Sequence, residues 1–122
     1  MGLFNCDSSR PIPTGKPVLV YWNLHGRSDF CQAMLYAGSI PFELDEAGAN
    51  TWPAGKADTP FGQIPVLTHG DMTIGQGGAI NRYCAKIAGL YPSDFQEAAV
   101  CDMYIEEIMD IYLGLFKVRM IE

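Results

Sequence analysis

A proline at the mouth of an apolar strand narrows the possible folds of this chain more than any other feature. Within Pro60-Phe61-Gly62-Gln63-Ile64-Pro65-Val66-Leu67, Val66 and Leu67 read as a short buried strand. Pro65 stands at its entrance and has no N–H to give to a ladder. Such a residue is confined to a strand's first position or to an edge, where the missing donor costs least. About 5–6% of X–Pro bonds in folded proteins are cis, so the local sequence alone favours a trans Ile64–Pro65 bond. In the cis form the Ile64 backbone would turn outward, free to pair with an extended peptide laid beside it.

The segments on either side supply a consistent set of elements. Lys16 to Trp22 is an apolar run that predicts a buried strand. Asn23-Leu24-His25-Gly26 turns the chain, and Arg27 to Ala37 has helical spacing with Phe30, Cys31, Met34 and Leu35 on one face. Ser28 is the expected N-cap and Gly38 the expected left-handed residue after the helix. Pro41 to Asp45 alternates as a half-exposed strand does. Ala47 to Thr59 is polar, with a turn or two of helix around Trp52. His69-Gly70-Asp71 is a hairpin turn leading to Met72-Thr73-Ile74. Gly78 to Gly89 predicts a helix burying Ala79, Ile80, Tyr83, Cys84 and Ile87. Tyr91-Pro92 breaks the chain, and Ser93-x-x-Gln96 is a capping box for a long helix through Ala98, Met103, Ile108, Met109 and Tyr112. Residues 1–15, with Ser8, Ser9, Pro11, Pro13 and Gly15, read as an irregular leader.

Composition bounds the function. The 122 residues allow one domain and an appendage, and an apolar content of 48% supports a real core. A formal charge of −6 argues against holding nucleic acid or an anionic membrane by bulk electrostatics. No apolar run approaches the roughly 18 residues of a membrane span. Cys6, Cys31, Cys84 and Cys101 show neither C-x-x-C nor metal-ligand spacing, so no metal is expected. Buried reduced thiols at Cys31 and Cys84 point to a reducing compartment, most simply the cytoplasm. Met1-Gly2-Leu3-Phe4-Asn5-Cys6 falls short of a myristoylation signal because Cys6 replaces Ser or Thr. Membrane association is expected only if Gly2 or Cys6 were lipidated.

F-G-Q-I-P-V-L, followed by Gly75-Gln76-Gly77-Gly78-Ala79-Ile80, resembles the N-terminal domain of cytosolic glutathione transferases. The resemblance implies an α/β, thioredoxin-like fold over residues 16–90, β-α-β then β-β-α, with Pro65 cis. Y-W-N-L-H-G-R, Tyr21 to Arg27, is similar to the sigma-class Y-F-N-x-R-G-R, and the mu, pi and alpha classes share the tyrosine. Tyr21 would then donate its hydroxyl hydrogen to the glutathione sulfur, with Arg27 lying against the phenol. Trp52, Lys56 and Gln63 would contact the glycine end and backbone of glutathione, and the turned Ile64–Pro65 unit would pair with its main chain. Gln76 and Gly77 would hold the γ-glutamyl carboxylate. The family reads Q-S there, so Gly77 lacks a hydroxyl, and glutathione binding about ten- to a hundredfold weaker is expected. Q-E-A-A-V-C-D-M-Y-I-E-E-I-M-D looks like the first helix of the family's helical second domain, implying a truncated domain over residues 93–122. Asp102, Glu106 and Asp110 line one stripe of it. The acid matching Asp110 reaches the γ-glutamyl ammonium across the family's dimer, and no metal is expected among these acids.

The chemistry such a site must supply is modest. A thiol with a pKa near 8.5 is about 3% ionised at pH 7, and a two-unit depression raises that to roughly 75%. Nucleophilicity falls with pKa at a slope of about 0.4–0.5, leaving about threefold of a roughly 25-fold gain. Positioning of the electrophile must do the rest. The sequence therefore predicts a glutathione transferase-like protein with glutathione as co-substrate and a small electrophile as second substrate. It is expected to form a homodimer, or to join a larger complex, through the last helix. As 122 residues it should bind glutathione better than it turns over, since the family's electrophile pocket is built largely from the second domain. The alternative is a shortened non-catalytic structural subunit of a larger assembly, its last helix offering Phe95, Met103, Ile108, Leu113 and Phe116 to another chain. A glutaredoxin-like reductase is disfavoured, because no cysteine occupies residues 21–26.

Overall fold

The computed structural model describes residues 11–119; Gly2, Cys6 and most of the expected leader lie outside the described residues, as do residues 120–122. The strands are β1 (Val18–Val20), β2 (Glu43–Asp45), β3 (Val66–His69) and β4 (Met72–Gly75). The helices are α1 (Asp29–Ala37), α2 (Glu46–Asn50), α3 (Gly77–Ile87) and α4 (Phe95–Arg119), with a 3-10 segment at Ala54–Asp58. The sheet order is β2-β1-β3-β4, with β1 parallel to β2, antiparallel to β3, and β3 antiparallel to β4. This is the thioredoxin-like α/β layout. Register brings Leu19 opposite both Leu44 and Leu67, and Leu67 opposite Ile74, so one apolar row crosses all four strands. Leu19, Leu35, Leu67, Ile80, Cys31 and Cys84 join it as a fully buried core between the sheet and the α1–α3 pair.

Helix ends depart from the sequence expectation by one residue, each time for a definable reason. Gly38 is not the left-handed residue after α1; its φ is −82° and Ser39 takes φ 55°. The amides of Ser39 and Ile40 bond back to Tyr36 and Leu35, closing a Schellman turn on a serine. Gly38 is small for another reason: a Cβ there would stand 2.5 Å from the Cβ of Ala88 at the end of α3. The same turn closes α3, with Gly89 at φ 70°. The cap of α4 is Asp94, not Ser93, its carboxylate accepting from the amides of Gln96 and Glu97 at 3.0 Å. The cap therefore falls one residue beyond the S-x-x-Q reading.

On α3 the buried face is Ile80, Asn81, Cys84 and Ala85, while Ala79 is exposed. Asn81 is 2% exposed and its side-chain carbonyl oxygen has no hydrogen-bond partner. Removing a buried polar atom that meets no partner recovers its desolvation cost. Asn81→Leu is expected to raise stability by about 1 kcal/mol, read as a higher urea midpoint with an unchanged slope.

A histidine fastens the far side of the sheet. His69, 3% exposed, contacts the Gly15 carbonyl through Nε2 at 3.1 Å and the Tyr83 hydroxyl through Nδ1 at 2.7 Å. A carbonyl only accepts, so Nε2 carries the proton and Nδ1 accepts from Tyr83. Among the described residues, long α4 docks chiefly on α3 and meets Arg27 in the turn before α1, and none of its described side chains is fully buried. Among the apolar residues expected to be uncovered, Phe95 is 90% exposed and Met103, Ile108 and Phe116 are also exposed, while Leu113 is half-buried.

Candidate glutathione site

The β1 strand delivers Tyr21 to the edge of the core, where the ring is 5% exposed. The chain then turns, and the backbone N–H of Arg27 donates to the Tyr21 hydroxyl at 3.2 Å. Burial pushes the Tyr21 pKa up, partly opposed by that hydrogen bond. The phenol thus remains protonated at neutral pH, its oxygen already accepting and its hydrogen left to give. Gly26 makes the arrangement possible. A Cβ on Gly26 would lie 2.6 Å from the Tyr21 hydroxyl and 3.1 Å from the hydroxyl of Tyr112 on α4. Two phenol oxygens therefore converge over one glycine. The sequence places Gly26 in the turn and the Tyr21–Arg27 motif without a role of its own, and shows Tyr112 only as part of a helical run.

Arg27 lies at the Tyr21 corner, where its charge opposes the rise that burial gives the phenol's pKa. Its backbone touches Tyr21, and its guanidinium lies over the Tyr112 ring, 5.9 Å from the centroid. The reason is local: Arg27 precedes α1, so its amide points into the turn while its long side chain extends toward α4.

Pro65 is buried immediately before β3, and both Ile64–Pro65 and Trp52–Pro53 are cis. Ile64 packs against the core. Gln63 is exposed, and its side-chain carbonyl accepts from the Gln76 amide at 3.3 Å, tying the loop before β3 to the start of α3. Gln76 holds φ 71°, a conformation costing on the order of 1 kcal/mol for a residue with a side chain. Gly77 opens α3 with its amide among the unbonded donors of a helix start. A Cβ at Gly77 would meet Met109 Cε at 3.6 Å and the Arg27 carbonyl at 3.9 Å, ordinary contacts. Tyr21, Arg27 and Gly77 are thus neighbours in space. Trp52 in the turn before the 3-10 segment and Lys56 on it stand together, the Lys56 ammonium 5.3 Å from the indole centroid.

The acidic stripe divides. Arg82 on α3 donates to Asp102 at 2.7 Å and Glu106 at 2.6 Å, and Tyr91 also donates to Asp102. Arg82 holds the Asp102 carboxyl below its usual range. Two acids are therefore spent on fastening α4 to α3, while Asp110 stays exposed one turn further on. Among the described residues no cluster of three or more potential ligands could hold a metal ion, and no helix is long and apolar enough to cross a membrane.

Comparison with known proteins assigns this architecture. The family model for the glutathione S-transferase N-terminal domain matches residues 17–86. Hematopoietic prostaglandin D synthase of Gallus gallus is 33% identical over 95 residues, covering 78% of this chain and 48% of the relative. Probable glutathione S-transferase 6 of Caenorhabditis elegans is 36% identical over 93 residues, covering 75% and 45%. The solved Pi-class glutathione S-transferase of Onchocerca volvulus superposes with a TM-score of 0.77 at 27% identity, covering 84% of this chain and 50% of its own. The chain belongs to the glutathione S-transferase family, and it spans about half the length of these relatives.

Proposed function

We propose that residues 16–90 form a glutathione-binding domain of the tyrosine type, nearest the sigma class by its Tyr21–Arg27 motif, and that residues 93–122 open a helical second unit. The observation that carries this reading is the Tyr21 hydroxyl: buried, protonated, and accepting from the Arg27 amide, it has one hydrogen to give to a thiolate. The Gln76–Gly77 helix start suits the γ-glutamyl carboxylate, since unbonded amides and the helix dipole favour an anion there. The backbone conformation of Gln76 supports the same use, because strain of that kind concentrates at functional sites. Trp52 and Lys56 suit the glycine carboxylate, Gln63 and the cis Ile64–Pro65 unit its backbone. Asp110 is the acid for the γ-glutamyl ammonium of a partner's glutathione in a homodimer. The thiolate attacks an electrophilic carbon, forming C–S and expelling the leaving group. Calorimetric titration with glutathione, paired with aryl-halide conjugation, tests the reading; no heat of binding up to millimolar glutathione defeats it.

Gly77→Ser restores the hydroxyl without a clash, since only ordinary contacts surround that Cβ. Glutathione is expected to bind about ten- to a hundredfold more tightly to the variant. An unchanged Kd would show that the carboxylate sits elsewhere.

A second reading, an interaction subunit that does not turn over, is favoured by the exposed apolar residues of α4, Phe95 and Phe116 among them. Native mass separates the two when measured beside conjugation: a chain bound into a larger assembly with no turnover supports the second.

A further inference from the structure

We propose that Cys31 and Cys84 form a dithiol that a small disulfide, such as oxidised glutathione or hydroxyethyl disulfide, converts to a bond linking α1 and α3. Both residues have 0% exposure and both are free thiols in this structure. Their placement follows from how the two helices meet. Gly38 abuts Ala88 at one end of the pair, and Gly77 lies beside the Arg27 carbonyl at the other. The helices therefore run parallel in a fixed register, which sets Cys31 level with Asn81 and within one turn of Cys84. Ser28, Cys31 and Gly38 on one side, with Cys84, Ala85 and Ala88 on the other, leave little bulk between the backbones. A disulfide requires Cα atoms within roughly 4.4–6.8 Å, which ordinary helix pairs at 8–10 Å between axes rarely offer. The helices do approach closely, since a Cβ at Gly38 would stand 2.7 Å from the Ala88 Cα, and both cysteines belong to the one buried cluster between them.

A hydrogen bond assigns the roles. Cys31 lies 3.0 Å from the Ser28 carbonyl, to which its S–H donates. The neighbouring Cys31 thiol lowers the Cys84 pKa, whereas Cys84 and burial push that of Cys31 far up. With the Cys31 hydrogen held by the Ser28 carbonyl, Cys84 is the sulfur left to attack first. It forms a mixed disulfide and expels one small thiolate; the Cys31 sulfur then attacks Cys84 and expels the second. The protein loses two electrons and two protons, and the disulfide becomes two thiols. Burial makes the reaction wait on an opening of the α1–α3 seam, so it proceeds slowly and leaves a dithiol under reducing conditions. The link would join the helices whose first residues adjoin Arg27 and Gly77.

The test is incubation of the folded chain with excess hydroxyethyl disulfide, then thiol counting in denaturant and non-reducing peptide mapping. The thiol count is expected to fall from four to two or fewer, Cys6 and Cys101 being open to capture by the reagent, and the map to hold a peptide pair joined through Cys31 and Cys84 that dithiothreitol separates. Cys101→Ala should keep the link, and Cys84→Ala should lose it. Free Cys31 and Cys84 after prolonged exposure, capture of either only as a mixed disulfide, or a link through Cys6 or Cys101 would each overturn the proposal.

Discussion

Tyr21→Phe is expected to raise the thiol pKa of bound glutathione by about two units, to near its free value of about 8.5. The variant keeps the ring in its buried seat and removes only the hydroxyl, so folding should be little changed. At pH 7 the thiolate fraction should fall from roughly three quarters to about 3%, a loss of about 25-fold, and the two proteins should converge above pH 9 or so. The thiolate's far-ultraviolet absorbance, titrated against pH with glutathione saturating, reads this directly. Conjugation at pH 7 should fall by only about threefold from ionisation, because the less stabilised thiolate is the better nucleophile. A titration that does not move with the hydroxyl gone would remove Tyr21 from the chemistry.

Gly38→Ala is expected to destabilise the fold by about 3 kcal/mol, the upper end for forcing extra volume into a packed interior. Two effects oppose each other. Alanine limits the unfolded chain more than glycine does, which favours the variant by about 0.4–1 kcal/mol. Against it, the new Cβ would stand 2.5 Å from the Ala88 Cβ, 2.7 Å from its Cα and 3.0 Å from its carbonyl oxygen. Two of those neighbours are backbone and cannot rotate away, so the steric effect wins. A urea midpoint lower than wild type checks the sign. Ala88→Gly in the same chain should recover part of the loss, since contacting residues couple; a variant as stable as wild type would mean the helices part more easily than their contact suggests.

Much of this architecture was legible in the sequence because its signals are local. The proline before β3, the apolar runs of β1 and β3, the Gly70–Asp71 turn and the breaks at Gly38 and Tyr91-Pro92 each act within a few residues. The candidate site was legible through short motifs, Y-W-N-L-H-G-R and F-G-Q-I-P-V-L. What escaped depends on distant partners. Gly38 reads as a helix terminator by its position, but its smallness answers to Ala88, fifty residues away. Tyr112 reaches the Tyr21 corner only because α4 packs along α3 as far as the turn before α1, which no spacing within α4 announces. Asn81 breaks the apolar pattern of α3, and nothing near it in sequence shows that it is buried. Arg27 shows the same limit inside a recognised motif, since nothing near it in sequence shows that its side chain also meets Tyr112 on α4.

The two hydroxyls over Gly26 come from opposite ends of the chain, one from the first strand and one from the last helix. That last helix is held largely by Arg82 through partly exposed ion pairs, each worth about 0.2–1 kcal/mol and weakened by salt. Ionic strength thereby gains leverage over the Tyr21–Tyr112 corner that it lacks over the melting of the sheet: that corner can loosen while the body of the molecule stays intact.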